Sequence, residues 1–231
     1  MGSKLILSFQ LSVNMQKITF NPLPLEFYTR SNVVSIARDL LGKILYTSID
    51  NEITAGIIVE TEAYAGITDK ASHAYNNRRT SRTEIMYLEG GHAYVYLCYG
   101  MHSLFNVVTS ARSDPQAVLI RGIEPLHGMD TMKLRSGKNI LKRNDAIGPG
   151  KISKLLGINT AQSGVSLYPE FETGAVLWIT DEGIKVYEDE IISGPRIGID
   201  YAAEDALLPY RFQWAKKNKA PVGELYSLKK S

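Results

Sequence analysis

The alternation of apolar and polar positions predicts many strands and few long helices. Apolar residues at helical spacing over Val33–Leu41 predict a helix that Ser31 or Asn32 caps and Gly42 ends. A second, short helix is predicted over Lys151–Leu156. Apolar stretches between turn-forming residues predict strands over Lys43–Ile49, Ile53–Glu60, Ala93–Tyr99, Leu104–Thr109, Ala117–Ile123, Ala175–Thr180, Ile184–Tyr187 and Arg196–Ile199.

This mixture favours an α+β fold with a mainly antiparallel, curved sheet flanked by helices. The 231 residues suffice for one sizeable core, so we expect residues 21–231 to form a single domain. Residues 1–20 are expected to form a tail of uncertain structure, since the apolar run over Leu5–Val13 is interrupted by polar residues. No apolar run approaches the ~20 residues of a membrane span. Cys98 is the single cysteine, which fits a reducing compartment.

Charge is unevenly distributed along a chain whose net charge is only +2. Residues 126–155 contain seven lysines and arginines against two acids, whereas residues 181–205 contain eight acids against two basic residues. Separate basic and acidic surfaces are typical of a nucleic-acid-binding protein of modest net charge. Solvated faces of an ordinary globular protein are the alternative, and charge alone favours that alternative.

Two acids lie where an apolar strand ends, in Glu60-Thr61-Glu62-Ala63-Tyr64. Side chains two residues apart on a strand share a face, so Glu60 and Glu62 are expected to point the same way. Acids at such a position are costly to bury without partners, and one oriented carboxylate with a raised pKa is suited to act as a general base. The alternative is a pair of surface acids where the strand leaves the sheet.

Tyrosine is frequent in this chain, with 13 Tyr against six Phe. Tyr94 and Tyr96 are expected to share one face of a strand, and Tyr99 is expected to be exposed at a glycine turn. Aromatic faces stack on bases and aromatic wedges enter base steps, although a half-buried sheet also favours tyrosine. Nearby basic residues shift the interpretation towards nucleic acid, namely Arg78, Arg79 and Arg82.

The sequence contains no pattern for a metal site, a nucleotide-phosphate loop or a serine nucleophile. Its four histidines have no metal-ligand spacing, and Cys98 has no cysteine partner. Gly148-Pro149-Gly150-Lys151 is followed by isoleucine, so it is not a Walker A loop. A glycine-rich turn before a helix still offers N–H groups to a phosphate. We therefore expect neither a metal nor a cofactor.

Several longer motifs follow one another between residues 59 and 201. They are Val59-Glu60-Thr61-Glu62-Ala63-Tyr64, Ala71-Ser72-His73-Ala74, Tyr94-Val95-Tyr96-Leu97-Cys98-Tyr99-Gly100-Met101-His102, Asn106-Val107-Val108, Val118-Leu119-Ile120-Arg121-Gly122-Ile123-Glu124-Pro125, Gly148-Pro149-Gly150-Lys151 and Gly194-Pro195-Arg196-Ile197-Gly198-Ile199-Asp200-Tyr201. In this order and spacing they resemble the alkyladenine (3-methyladenine) DNA glycosylase family of the mammalian type. The resemblance covers most of the chain from about Leu40.

The resemblance implies a monofunctional DNA glycosylase that flips damaged, alkylated or deaminated purines out of duplex DNA and hydrolyses the N-glycosidic bond. It assigns Glu62 as the general base that activates water and Arg121 as the residue that helps to hold this water. It also assigns Tyr64 to one wall of the base pocket, and His73 with Tyr96 to the opposite wall. The product is an abasic site, as in base excision repair.

The same resemblance assigns Asn106 to the pocket position that obstructs the 2-amino group of guanine. Tyr99 corresponds to the residue that enters the duplex, and Met101 corresponds to a residue that packs beside it. Contacts to the DNA backbone are expected from Arg78, Arg82 and Lys151. The implied partner is double-stranded DNA with damaged purines, bound by a monomer. We expect a location in the cytoplasm of a prokaryote, at the nucleoid, or in the nucleus of a eukaryote.

Two other functions remain open from the sequence. A catalytically inactive module that binds damaged DNA is one, although Glu62 is present. A sugar hydrolase that uses Glu60 and Glu62 as a carboxylate pair is the other, because the Cα atoms of residues two apart on a strand are roughly 6.5–7 Å apart. That hydrolase leaves the basic segments and the exposed tyrosine without a role.

Overall fold

The computed structural model describes residues 21–169 and 176–216, so the expected tail over residues 1–20 lies outside the described part. The strands are β1 (Ile44–Ile49), β2 (Glu52–Tyr64), β3 (Ala93–Cys98), β4 (His102–Thr109), β5 (Gln116–His127), β6 (Leu177–Thr180), β7 (Ile191–Gly194) and β8 (Arg211–Trp214). The α-helices are α1 (Leu25–Tyr28), α2 (Val33–Asp39), α3 (Met129–Ser136) and α4 (Pro149–Leu156). Among these residues, no helix is long and apolar enough to cross a membrane.

The eight strands of the described residues belong to one antiparallel sheet, in which β3, β4, β5, β2, β1 and β6 are successive neighbours. Strand β2 pairs with β5 along one side; along the other it pairs first with β1 and then, at residues 60–62, with β8. The register between β2 and β5 shifts around Ile58, Glu60 and Thr61. Such bulges bend a strand and increase its twist. The sheet therefore curls into a half-barrel flanked by helices, which confirms the predicted α+β fold.

The main core lies between one face of this sheet and the helices. Helix α2 contributes Val33, Ile36 and Ala37 to it, and α4 contributes Ile152, Leu155 and Leu156. The spacing of these apolar residues matches one face of a helix. The opposite face of β3, β4 and β5 carries a smaller cluster, formed by Tyr94, Val108 and Ala117 with Ala74, Met86 and Tyr87. The sheet therefore has a second, partly covered face.

Local signals explain the elements that were predicted correctly. Asn32 caps α2, since its side chain accepts the N–H of Ser35 at 3.0 Å. Asp50 and Asn51 have φ angles of 58° and 60°, which a type I′ turn between β1 and β2 requires. The predicted short helix corresponds to α4, and the predicted strands up to residue 123 correspond to β1–β5 with shifted ends. The strand predicted over Ala175–Thr180 is confirmed as β6, with residue 175 outside the described part.

The predicted strand over Ile184–Tyr187 is wrong, because this segment has no strand structure. Ile184 and Val186 do face the same way, and both pack partly buried against the core. They contact the region of Gly42, where an added Cβ would lie 2.8 Å from Val186. The alternating pattern here reflects packing over a neighbouring loop and not pairing with another strand.

The predicted strand over Arg196–Ile199 is also wrong. Arg196 is drawn into a buried ion pair with Asp69, and the chain turns at Gly198, which has a φ of 76°. Four elements were not predicted: α1, β7 and β8, which have four residues each, and α3, whose residues are mostly polar. Short or polar elements carry too little apolar periodicity to be recognised.

Replacement of Asn32 by alanine removes the acceptor at the start of α2. We expect Asn32→Ala to lower the free energy of unfolding by about 1 kcal/mol, the usual contribution of an N-cap. Urea unfolding followed by circular dichroism measures the change. Ser31→Ala is the matched control, since the carbonyl of Ser31, which bonds to Gln116, is kept in that variant. A loss no larger than that of the control would show that the cap does not stabilise α2.

Candidate active site

One row of side chains crosses four strands on the second face of the sheet. Glu62 of β2 pairs with Leu119 of β5, Leu119 pairs with Asn106 of β4, and Asn106 pairs with Tyr94 of β3. Residues in register project to the same face, and neighbouring strands are ~4.8 Å apart. The Cα atoms of Glu62 and Asn106 are therefore separated by about 10 Å, which is two strand spacings.

Glu62 is fully buried, with 0% of its surface exposed, and both of its oxygens are held. Oε2 accepts the hydroxyl proton of Tyr64 at 2.8 Å. Oε1 accepts the backbone N–H of Ile197 at 2.8 Å and lies 3.3 Å from Nε of Arg121. The alternative that this residue is a surface acid is thereby excluded.

The environment of Glu62 raises its pKa. Burial raises the pKa of the carboxyl above its ordinary value, and the negative charge of Glu60 adds a smaller increase. Arg121, the N–H of Ile197 and the hydroxyl of Tyr64 act in the opposite direction without cancelling the effect of burial. A base is most effective when its pKa lies near the working pH, so this carboxylate is suited to take a proton from water.

Glu60 is the second buried acid, with 2% of its surface exposed. Its Oε1 accepts hydrogen bonds from Nε of Arg121 and from Nη1 of Arg211, each at 3.2 Å. The Nε of Arg121 thus lies between two carboxylates. Because Glu60 and Glu62 reach the same guanidinium group, the prediction that they point the same way is confirmed.

A buried ion pair lies behind Tyr64. Arg196 contacts both oxygens of Asp69, with Nη2 2.8 Å from Oδ1, and donates to the carbonyl of Ala63 at 2.9 Å. The guanidinium carbon lies 4.8 Å from the centroid of the Tyr64 ring. The ion pair supports this ring in an orientation in which its hydroxyl reaches Glu62.

His73, Tyr94 and Tyr96 form an aromatic cluster. Nδ1 of His73 lies 2.9 Å from the hydroxyl of Tyr94, and its ring centroid lies 4.6 Å from that of Tyr96. The two tyrosine centroids are 5.5 Å apart, which confirms that both residues share one face of β3. Burial, together with the positive charges of Arg82 and Arg78, lowers the pKa of His73 to about 4. His73 is therefore neutral at neutral pH.

Asn106 lies buried in β4, next to this cluster. Its Nδ2 donates to the backbone carbonyl of Tyr94 at 3.0 Å and to that of Leu104 at 3.3 Å. Both protons of the amide nitrogen are used in this way. The side chain is consequently fixed and presents the same steric outline to anything that enters from the second face.

The turn between β3 and β4 projects an exposed aromatic side chain. Tyr99 is 89% exposed and Met101 is 71% exposed, which confirms the expectation that Tyr99 lies exposed at a turn. Tyr99 and Gly100 have φ angles of 52° and 69°, and the N–H of Met101 bonds to the carbonyl of Cys98. In this type I′ geometry the first central residue is usually Asn, Asp or Gly. A tyrosine in that left-handed conformation costs about 1 kcal/mol.

The three predicted DNA-backbone residues, Arg78, Arg82 and Lys151, are all exposed. The guanidinium carbon of Arg82 lies 5.8 Å from the ring centroid of Tyr96. Lys151 lies in the first turn of α4 and donates to the carbonyl of Asn144 at 2.8 Å. This end of α4 packs against His102, since an added Cβ on Gly150 would lie 3.1 Å from the Cβ of His102. The basic side chains therefore flank the aromatic cluster and the turn.

The site also contains groups that sequence reasoning did not assign: Asp69, Arg196 and the backbone N–H of Ile197. Arg196 and Ile197 lie in the motif over residues 194–201, which gave neither of them a role, and Asp69 lies in none of the quoted motifs. The structure brings the predicted catalytic and pocket residues to one face of the sheet, and their roles stay predictions. Within residues 21–169 and 176–216, no group of three or more His, Cys, Asp or Glu is arranged to hold a metal ion.

The chain is similar to known proteins over most of its length. A family model described as methylpurine-DNA glycosylase (MPG) matches residues 26–219. A protein of Bdellovibrio bacteriovorus is 44% identical over 190 residues, which cover 82% of this chain and 93% of that protein. Proteins of Chlamydia felis and Bacillus licheniformis are each 46% identical, over 82% and 86% of this chain and 94% and 95% of their own lengths. All three relatives are provisionally named 3-methyladenine DNA glycosylase.

The low pKa of His73 predicts a contribution to stability that is lost in acid. The pKa is about 4 in the folded protein and ~6.5 in an unfolded chain. Between these values the unfolded state binds more protons, so the free energy of unfolding falls as the pH is lowered through this range. We expect His73→Asn to lose less stability than the unmodified protein between neutral pH and about pH 5. Urea unfolding at both pH values measures this, with exposed His102→Asn as the control; equal losses in all three proteins would contradict it.

Proposed function

Because this chain belongs to the methylpurine-DNA glycosylase family and is therefore a DNA glycosylase of base excision repair, we propose that it is monofunctional and releases alkylated purines, 3-methyladenine among them, from duplex DNA. Deaminated purines such as hypoxanthine are further proposed substrates. The proposal is carried by Glu62, a fully buried carboxylate that Tyr64, Ile197 and Arg121 hold in place. A fixed carboxylate with a raised pKa is suited to activate a water molecule.

In the proposed reaction, Glu62 accepts a proton from a water molecule whose oxygen attacks C1′ of the deoxyribose. The bond between C1′ and the purine nitrogen breaks, and its electron pair leaves with the base. An alkylated purine is electron-poor and leaves readily, so the enzyme supplies mainly activation and positioning of the water. Arg121, whose Nε lies 3.3 Å from Oε1 of Glu62, is proposed to help hold this water. The product is an abasic site.

The flipped base is proposed to lie between Tyr64 on one side and His73 with Tyr96 on the other. The faces of aromatic rings attract an electron-poor purine much as they attract a cation. The neutral state of His73 supports this placement, because a protonated imidazole would repel a positively charged base. Asn106 is proposed to exclude the 2-amino group of guanine, since two backbone carbonyls fix its amide and prevent it from turning aside.

Extrusion of a base requires a group that fills the gap in the duplex, because unstacking and unpairing cost a few kcal/mol. Tyr99 is the proposed wedge and Met101 is proposed to pack beside it, as both are exposed at one turn. Salt-dependent contacts to DNA phosphates are proposed for Arg78, Arg82 and Lys151.

The surroundings of Glu60 disfavour the alternative sugar hydrolase. A hydrolase with a carboxylate pair needs one carboxyl group that protonates the leaving group. Glu60 instead accepts hydrogen bonds from two guanidinium groups, those of Arg121 and Arg211. The inactive damage-binding module is the remaining alternative, and a direct assay of base release decides between it and the proposed function.

Glu62→Gln is expected to abolish base release and to leave binding to damaged DNA largely intact. The change keeps the size of the side chain and removes its capacity to accept a proton, and general-base catalysis contributes ~10²–10⁴-fold. The measurement is single-turnover release of free base from methylated duplex DNA and from duplexes that contain hypoxanthine or ethenoadenine. Parallel reactions contain excess EDTA, and a binding titration is run for each folded variant.

Glu52→Gln is the matched control for this experiment, because Glu52 begins the same strand at an exposed position. It should release base at the rate of the unmodified enzyme. If the unmodified enzyme releases no base from any of these substrates, the proposed function is wrong. If Glu62→Gln retains full activity, Glu62 is not the base. Activity that is lost in EDTA and returns only with one divalent metal would contradict metal-free hydrolysis.

Tyr99→Ala is expected to show the complementary pattern. Binding and flipping should weaken about tenfold or more, because stacking of an aromatic ring on a base is worth ~1–3 kcal/mol. The chemical step should be spared once the base is in the pocket, since Glu62 and Arg121 are unchanged. Affinity for a duplex with an abasic analogue is compared with the single-turnover rate at saturating enzyme. Tyr187→Ala, which alters another exposed tyrosine, is the control, and equal affinities of the two variants would rule out the wedge.

A further inference from the structure

We propose that Glu60 is a positioning residue that holds Arg121 in the geometry in which Glu62 can act as a base. The inference rests on the proposed function, because it concerns the same water-activating site. Glu60 contacts no reacting atom in this account and acts through Arg121. Its second partner, Arg211, connects it to β8.

Arg121 is shared between two carboxylates. Its Nε donates to Oε1 of Glu60 at 3.2 Å and lies 3.3 Å from Oε1 of Glu62. Because these distances are nearly equal, the guanidinium group interacts with Glu60 as closely as with Glu62. No residue in the described part of the chain accepts a hydrogen bond from its terminal nitrogens. These nitrogens are therefore open to a water molecule or to the substrate.

Positive and negative charges alternate along a row of side chains that runs from the partly exposed Arg211 through the buried Glu60 and Arg121 to Glu62. Charges out of contact with water interact strongly, because the local dielectric constant is low. Without Glu60, the guanidinium group of Arg121 would face a single acid and move towards Glu62. A closer arginine would stabilise the carboxylate and make it a weaker base. Competition from Glu60 keeps Glu62 able to accept a proton.

The two carboxylate oxygens of Glu60 are unequally hydrogen-bonded, which is not expected of an acid that only stabilises the fold. Both arginines bind Oε1, whereas Oε2 is buried with no hydrogen-bond partner in residues 21–169 and 176–216. An unsatisfied buried oxygen opposes folding. The fold nevertheless makes room for it: an added Cβ on Gly122 would lie 3.4 Å from Oε2 and 3.0 Å from the Cβ of Glu60. A role in the site explains why an acid occupies this position.

One loop anchors both acids. The N–H of Ile197 donates to Glu62 at 2.8 Å, and Arg211, which binds Glu60, donates from Nε to the carbonyl of Pro195 at 2.9 Å. Two residues of the same loop thus set the positions of the two carboxylates relative to Arg121. The same loop therefore determines both the distance from Arg121 to Glu60 and the distance from Arg121 to Glu62.

The experiment is Glu60→Gln, assayed by single-turnover base release over a range of pH. We expect the plateau rate to fall about tenfold, less than the ~10²–10⁴-fold contribution of a general base. Affinity for a duplex with an abasic analogue should equal that of the unmodified enzyme. Glu52→Gln, on the same strand, is the control and should match the unmodified enzyme in both measurements.

The pH profile separates positioning from a structural role. The rate rises with pH through the pKa of Glu62, because only the carboxylate accepts a proton. The negative charge of Glu60 raises that pKa, and in Glu60→Gln the guanidinium of Arg121 also moves closer, so the acid limb should shift to lower pH. The other ionisable groups that interact with Glu62 are the same in both enzymes, namely Tyr64, Tyr96, Arg196 and Tyr201.

A purely structural role gives a different result: rate, affinity and thermal stability fall together while the acid limb stays in place. That result overturns the proposal, and so does a wild-type rate with an unchanged profile. Because Glu60 acts through Arg121, Glu60→Gln should add little to the rate loss of Arg121→Lys. Independent, multiplicative losses in the double variant would also overturn it.

If Glu60→Gln does not fold, Arg211→Gln decides in its place, since that side chain is 23% exposed and more tolerant of change. It should lower the rate without lowering affinity, and a wild-type rate refutes the positioning role. Failure of the two proposals is distinguishable. Absence of base release by the unmodified enzyme refutes the proposed function, whereas normal release by both the unmodified enzyme and the Glu60 variant refutes the positioning role alone.

Discussion

The proposed function depends on keeping one carboxylate, that of Glu62, charged inside a folded sheet. Removal of Glu62 from water favours its protonated form. Donors from three separate parts of the chain, Tyr64, Ile197 and Arg121, stabilise the carboxylate and fix both of its oxygens. Because burial outweighs these donors, the pKa remains raised. Under this balance a carboxylate keeps its position and still accepts a proton.

The geometry of β2 brings the charged partners of Glu62 close to this buried carboxylate. At residues 60–62, β2 is paired with β5 on one side and β8 on the other, so side chains from three strands meet at one place. The irregular register around Glu60 bends the strand there. Glu60 and Glu62 converge on Arg121 of β5, and Arg211 of β8 reaches Glu60 from the other side. The curl of the sheet and the grouping of these charges therefore have the same structural origin.

Signals that act over a few residues predict much of this arrangement. The cap at Asn32, the turn at Asp50-Asn51 and the shared face of Glu60 and Glu62 all follow from neighbours in the sequence. The pair of Asp69 and Arg196 does not, because its partners are 127 residues apart. An arginine in a loop carries no local sign that it will be buried. For the same reason a strand was predicted where Arg196 turns inwards to meet its partner.

The hairpin of β3 and β4 joins two environments of opposite character. The ring centroid of Tyr96 lies 4.6 Å from that of His73. Tyr99, three residues later, is 89% exposed in a turn with a left-handed backbone. Paired antiparallel strands are stiff, so the positions of these two rings are coupled. In the proposed function, entry of Tyr99 into the duplex and stacking of the flipped base on Tyr96 then follow from one placement of the hairpin. The left-handed conformation of Tyr99 sets the direction of its side chain relative to Tyr96. In the proposed function, the direction of the wedge is therefore set relative to the pocket that Tyr96 lines.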